Sequence, residues 1–304
     1  MSAGRKLRKT VKYQLLYWLI KVLIVGSNIP SRKAWLSFCG WLGTFAHNFS
    51  HKTRTRMHTH LTIAFPEKSE REIKELVRKT FRMLGKNAGE ILRASGIETL
   101  DELEDILITH GYENFVTANQ KGRGVIFLTC HMGAFDLQVT NMALRGLNPN
   151  IIGTPLKDER LNELLWRYRN QHGAVAIERG RETFRMIKVL KSGGSVALLI
   201  DQDTKVKSAF VDFFGKPAST PVGATVLAMK TGAAVVPTYV YLGADGMQHM
   251  HILPEVELRI SGDEDGDVIH NTQLLTAMIE GWIRQHPEQW VWMHQRWKTR
   301  EGEV

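Results

Sequence analysis

Apolar positions change their spacing twice along the chain. Seventeen residues from Tyr13 to Ile29 run almost unbroken apolar, interrupted by Lys21 and closed by Pro30. A second run from Ala34 to Phe49 carries Trp35, Phe38, Trp41, Phe45 and Phe49. After Pro66 the pattern becomes helical. Ser69 with Glu72 three residues on forms a capping box, and Ile73, Leu76, Val77, Thr80, Phe81 and Leu84 then share one helical face. From Gly122 short β-rich apolar runs (Val125 to Cys130, Val196 to Ile200, Val235 to Leu242, His251 to Val256) alternate with helical stretches (Phe135 to Leu144, Glu159 to Gln171, Glu182 to Leu190, Val222 to Lys230). This alternation predicts an α/β fold with a mainly parallel, buried central sheet flanked by helices.

The first apolar run is unusual in its charge. Residues 1 to 60 hold eleven Lys and Arg and no Asp or Glu; removing those eleven from the chain's 40 leaves 29 basic against 31 acidic side chains. The entire formal charge of +9 therefore comes from the first 60 residues. Local basicity of this kind faces an anionic surface, nucleic acid or acidic phospholipid. The apolar, aromatic neighbours favour phospholipid. As a helix the first run would be about 25 Å long against a bilayer core of about 30 Å, so a spanning helix is strained and one lying in the interface is equally credible. We expect residues 1–50 to be a basic, apolar membrane anchor, with no cleavable signal, and residues 51–304 to form one catalytic domain on the cytoplasmic side.

Composition changes the picture only by exclusion. With 304 residues, 43% of them hydrophobic and 23% charged, the chain is neither disordered nor polytopic. Two isolated cysteines, Cys39 and Cys130, exclude a disulfide framework and a cysteine zinc site. There is no Walker loop, dinucleotide fingerprint or His-Glu-x-x-His motif.

Candidate chemistry sits where strands end. The run from Gly124 to Cys130 leads to His131, a turn at Gly133, and Asp136 in the first turn of the next helix. Such loops carry active sites in open α/β sheets. A carboxylate holding one imidazole nitrogen leaves the other as a base, although on spacing alone a capping Asp and a half-buried His fit this motif slightly better. A second strand delivers Asp201-Gln202-Asp203, readable as a metal-binding Asp-x-Asp of a glycosyltransferase, as a pair orienting arginines or substrate hydroxyls, or as a polar turn. Arg167, Arg169, Arg179 and Arg181 offer planar donors to phosphate or carboxylate, or a solvated helix face. Phe210 to Gly215, with Pro217, Thr220 and Gly223, would wall an acyl groove or simply pack the core. The stretch from Pro287 to Arg300, with three Trp among basic residues, fits interfacial anchoring or packing against the main domain better than base stacking.

In this order the motifs resemble the late acyltransferases of bacterial lipid A biosynthesis, the lauroyl and myristoyl transferase family, along nearly the whole chain. The resemblance rests on the basic apolar N-terminus, Ala64-Phe65-Pro66-Glu67, His131-Met-Gly-Ala-Phe-Asp136 as a His-x4-acid motif, Asp201-Gln202-Asp203, Phe213-Phe214-Gly215 followed by Thr220, and the ending Pro287 to Arg300. It implies transfer of a fatty acyl chain from an acyl carrier protein or CoA thioester to a hydroxyl of a membrane glycolipid, with no cofactor or metal, at the cytoplasmic face of the inner membrane. His131 would be the base and Asp136 its orienting acid, with Arg169, Arg179, Asp201 and Asp203 on the substrate side. An acidic carrier would dock on basic residues. Asp136 stands where the lipid A branch most often has Glu. This leaves a lipid A precursor, a lysophospholipid and a mannosylated phosphoinositide as acceptors.

Overall fold

The structure, a computed structural model, describes residues 3–153, 155–178 and 182–302. Pro30 separates the two apolar runs into helices α1 (Ala3–Gly26) and α2 (Arg32–Phe49), followed by α3 (His51–Ala64). The expected capping box opens α4 (Glu70–Ala94), with Ser69 accepting from the Glu72 backbone and Glu72 accepting from Ser69. No helix among the described residues is long and apolar enough to cross a membrane.

Helices α2 and α4 approach backbone to backbone, and glycine makes that possible. A Cβ on Gly43 would lie 2.1 Å from the Phe81 carbonyl oxygen, and one on Gly85 2.2 Å from that of Cys39. The Trp35 indole donates to the Gly89 carbonyl at 2.8 Å across the same crossing. Beside it Glu90, fully buried, accepts from Arg32 Nε (2.9 Å) and Nη2 (2.5 Å) and from Gln248 Nε2 (3.3 Å). A buried carboxylate is tolerated only when paired in this way. The fork fixes α2, and with it the N-terminal part of the chain, to the body.

After α5 (Leu100–Glu104) the chain enters the α/β layer. Its strands are β1 (Leu107–His110), β2 (Val125–Thr129), β3 (Asn150–Gly153), β4 (Val175–Glu178), β5 (Ser195–Leu199), β8 (Ala234–Leu242) and β9 (Gln248–Ile252). They form one seven-stranded sheet in the order β1-β9-β8-β2-β5-β3-β4. All neighbours are parallel except the β8–β9 hairpin. Helices α6 (Tyr112–Gln120), α7 (Leu137–Leu144), α8 (Glu159–Arg169), α9 (Glu182–Lys191), α10 (Gly223–Thr231) and α11 (Glu264–Gln285) cover it, and a hairpin of β6 (Ser208–Phe213) and β7 (Lys216–Pro221) stands apart from the sheet. Strand β2 is buried at every position. Ile126 and Leu128 pack in one core with α3, α4, α9, α10 and α11, while Val125 and Phe127 pack in the other with α5, α6 and α7. Burial on both faces explains why its sequence is continuously apolar rather than alternating.

Four expected strands and four expected helices are present, with one shift: the last strand covers Gln248–Ile252, not His251 to Val256, because Pro254 cannot extend the ladder. Cys39 and Cys130 are both buried and free, as expected of packing residues. Gly85→Ala is expected to destabilise the protein by about 2 kcal/mol or more, since the helix crossing cannot open without disturbing the Arg32–Glu90 fork. Urea unfolding of the variant against wild type measures it, and an unchanged midpoint would mean that the crossing adapts.

Candidate active site

Strands β2 and β5 are parallel neighbours with Thr129 in register with Leu199. Two residues further along each strand, the register brings His131 beside Asp201. The Asp201 carboxylate accepts from His131 Nδ1 through Oδ1 at 2.8 Å and from the His131 backbone N–H through Oδ2 at 2.8 Å. Oδ2 also accepts from the Trp290 indole at 2.8 Å. Asp201 is 2% exposed. Burial alone would raise its carboxyl, but the facing charge of His131 and the N–H donors from His131 and Trp290 outweigh burial and hold it below the usual carboxylate range. With Nδ1 committed, the other ring nitrogen of His131 has no partner among the described residues, and Phe135 packs edge-on against the imidazole at 4.9 Å.

The expected pairing of Asp136 with His131 is not what the structure shows. Asp136 is the residue preceding α7 and accepts instead from Arg169, at 2.9 Å from Nε and 3.4 Å from Nη2. Arg169 is the last residue of α8, and both partners are largely buried. Asp136 therefore neutralises a guanidinium, and the imidazole's carboxylate comes from a strand 70 residues away. Asp203, expected on the substrate side, is buried and taken by the C-terminus. It accepts from the Thr299 backbone (2.9 Å) and hydroxyl (3.0 Å), with Lys298 Nζ at 3.7 Å. Arg179 and Arg181 lie outside the described residues. Because Asp201 and Asp203 spend their oxygens on different protein donors, they do not converge as an Asp-x-Asp metal site does.

His131, Asp136 and Arg169 all line one cavity of about 650 Å³. Its walls are mainly apolar, with Phe127, Met142, Ile151, Met186, Leu198 and Leu227 among them. Of the expected groove wall only Gly223 lines the cavity, beside Pro221 and Val222, while Phe213 and Phe214 are core residues packed against Trp290, Trp292 and Phe65. The cavity falls within the range of roughly 300–1,000 Å³ typical of small-molecule sites. It suits a long apolar group with one end at the His131 imidazole.

The sequence has known relatives. The sequence matches the family described as bacterial lipid A biosynthesis acyltransferase over residues 2–299. The chain belongs to that family, and it is an acyltransferase. It is 27% identical to a lipid A biosynthesis lauroyltransferase of Escherichia coli K12, covering 93% of this chain and 92% of that one. It is 26% identical to a lipid A biosynthesis acyltransferase of Haemophilus influenzae (86% and 81%). It is also 27% identical to a phosphatidylinositol mannoside acyltransferase of Mycobacterium tuberculosis CDC 1551, over only 62% of this chain and 58% of that one.

The residue that the sequence least suggests is Trp290, since nothing in the local pattern ties a tryptophan near the C-terminus to a strand end near residue 130. The depressed Asp201 carboxyl gives the site a pH signature. Its stabilising contribution is complete above the ordinary aspartate range near pH ~4 and is lost as pH falls through the lower folded value. The thermal midpoint of Asp201→Asn is expected to lie below wild type at neutral pH and to converge on it in acid. A gap that stays constant from neutral pH down to about pH 3 would mean the carboxylate is not held ionised.

Proposed function

We propose that this acyltransferase moves a fatty acyl chain from an acyl carrier protein or CoA thioester to a hydroxyl of a lipid A precursor, at the cytoplasmic face of the bacterial inner membrane. The observation that carries this reading is the His131–Asp201 pair opening onto an apolar cavity. The free ring nitrogen of His131 takes the proton of the acceptor hydroxyl as its oxygen attacks the thioester carbonyl. The C–O bond forms, the tetrahedral intermediate collapses with loss of the thiolate, and the imidazolium returns the proton to sulfur. Holding hydroxyl and thioester together supplies much of the acceleration. The Arg169–Asp136 pair beside the base offers remaining guanidinium N–H groups to a phosphate or carbonyl oxygen. Exposed Lys207 and Lys230 on the cavity edge suit an acidic carrier.

A lipid A precursor is favoured over a mannosylated phosphoinositide because the lipid A enzymes match along nearly the full chain while the mannoside enzymes match along part of it. A metal-dependent glycosyltransferase is disfavoured by the divergent carboxylates of Asp201 and Asp203.

Membrane association rests on the N-terminal helices. On α1, Leu15, Trp18, Leu19, Val22 and Val25 are exposed, and on α2 an exposed ladder of Phe38, Trp41, Phe45 and Phe49 runs along one side. Adjacent rings of that ladder lie 4.9 to 6.2 Å apart. Apolar faces with basic flanks are the signature of helices lying in a bilayer interface. Arg160 on α8 reaches the Tyr17 ring of α1 at 5.2 Å, and Arg169 follows nine residues, or about 14 Å of helix, later. This contact supports a site near the surface on which a lipid acceptor would reside.

Two experiments test this reading. Mass spectrometry of glycolipid acceptors incubated with carrier thioesters should show the gain of one acyl mass with wild type and no loss on chelation. His131→Ala and Asp201→Asn should both lower turnover by about a thousandfold, and Asp136→Asn by less. Wild-type turnover in His131→Ala would remove the proposed base, wild-type turnover in Asp201→Asn would remove its carboxylate partner, and loss of activity on chelation would favour the glycosyltransferase. In flotation with anionic vesicles, Trp41→Asp with Phe45→Asp is expected to weaken binding about tenfold or more. Undiminished flotation would show that another surface makes the contact.

A further inference from the structure

The C-terminal stretch from Pro287 to Arg300 is neither an exposed anchor nor simple filler. Trp290, Trp292 and Arg296 are fully buried, and the segment is fastened on both sides of the active-site strands. The Gln289 side chain closes a two-bond clamp on the end of β8, accepting from Leu242 N–H at 2.9 Å and donating to its carbonyl at 2.8 Å. The Gln289 carbonyl accepts from the Gly133 N–H at 3.1 Å, and Trp290 forms an antiparallel bridge with Met132. Gly133 has a φ of 61°, and a Cβ there would lie 2.3 Å from the Val240 carbonyl oxygen, so the turn after His131 is pressed between β8 and this strap. Further on, Arg296 donates to Ser219 O (2.6 Å) and Thr220 Oγ1 (2.5 Å), and Thr299 holds Asp203.

We propose that Trp290 is a positioning residue for the His131 base: its indole N–H, delivered by the C-terminal strap, holds the Asp201 carboxylate in the orientation that turns one oxygen squarely to the imidazole. Packing at this position asks only for a large ring, yet the ring present carries a donor, and that donor meets the oxygen His131 Nδ1 does not use. Oδ2 thus holds two N–H groups and Oδ1 is left to the imidazole. The carboxylate cannot rotate without breaking three hydrogen bonds, and the free imidazole nitrogen stays aimed at the cavity. The indole also withdraws part of the Asp201 charge from His131. The other ionisable groups around the pair are Cys130, Asp203, His294, Arg296 and Lys298, with the Asp136–Arg169 pair on the same cavity.

This inference rests on the acyl-transfer reading, and its test separates the two. The pH dependence of kcat/KM for acyl transfer is compared in wild type, Trp290→Phe and Trp292→Phe, the last removing an equally buried indole that donates only to Pro287 O within the strap. In Trp290→Phe, kcat is expected to fall about tenfold with KM within about twofold, and the acid limb of the profile to move to higher pH as more carboxylate charge falls on His131. Trp292→Phe is expected to lose stability with the limb in place. Should Trp290→Phe fail to fold, β-(3-benzothienyl)alanine at position 290 keeps the ring volume, removes the N–H and should give the same shift. An unmoved limb in an active variant lacking the N–H, or an equal shift in Trp292→Phe, would overturn the positioning role alone. Absence of acyl transfer by wild type would overturn the functional reading beneath it.

Discussion

The site is organised around one buried carboxylate. Asp201 binds the His131 side chain, the His131 backbone and the Trp290 indole, so three chain segments meet at two oxygen atoms. An ionised group with 2% exposure persists only if every lone pair it turns inward is answered. That demand reaches outward. It requires β2 and β5 to be parallel neighbours in one register, the turn at Gly133 to be tight, and the C-terminal strap to lie across the ends of the central strands. Disturbing any of these leaves a buried charge short of a donor, which costs more than the lost contact itself.

The N-terminal region obeys a different constraint. Helix α2 must bury one side against α4 so closely that only glycine fits, and this turns its aromatic ladder to the opposite side. Glycines inside helices weaken them, typically by about 1 kcal/mol each relative to alanine. Here the closer approach and the Arg32–Glu90 fork offset that loss. The exposed apolar side is thus held rigidly on the body, and α8 connects the two regions, touching α1 through Arg160 and the site through Arg169.

Much of the fold was legible because β2, β5 and β8 carry long enough apolar runs, and α4 a clear enough capping box and face, to declare themselves locally. The four-residue strands β1, β3 and β4 carry too little pattern to stand out, and the β6–β7 hairpin read only as a possible groove wall. The site was half legible. His131 at a strand end followed from local pattern, but its partner did not. Asp136 was the nearest acid in sequence, five residues away, whereas Asp201 becomes the neighbour only because β5 lies next to β2, and strand order is not written in either strand. The same limit hid Trp290: its aromatic and basic surroundings suit a membrane interface as well as a strap, and its burial and the clamp of Gln289 on Leu242 distinguish them.

Separating the two acid pairs gives the acid at position 136 a physical meaning of its own. Glu is the longer alternative to Asp136. If that acid oriented the imidazole, shortening it by one methylene would move the base itself, and a change of more than a few tenths of an ångström in such a hydrogen bond alters its strength steeply. In this structure the acid reaches Arg169 instead, and the His131–Asp201 geometry is fixed by strand register independently of it. Exchange of Asp and Glu at position 136 then changes how far α7 reaches toward the end of α8, and so where the guanidinium stands along the cavity wall. A change at that position thus moves the guanidinium along the cavity wall while the His131–Asp201 pair stays in place.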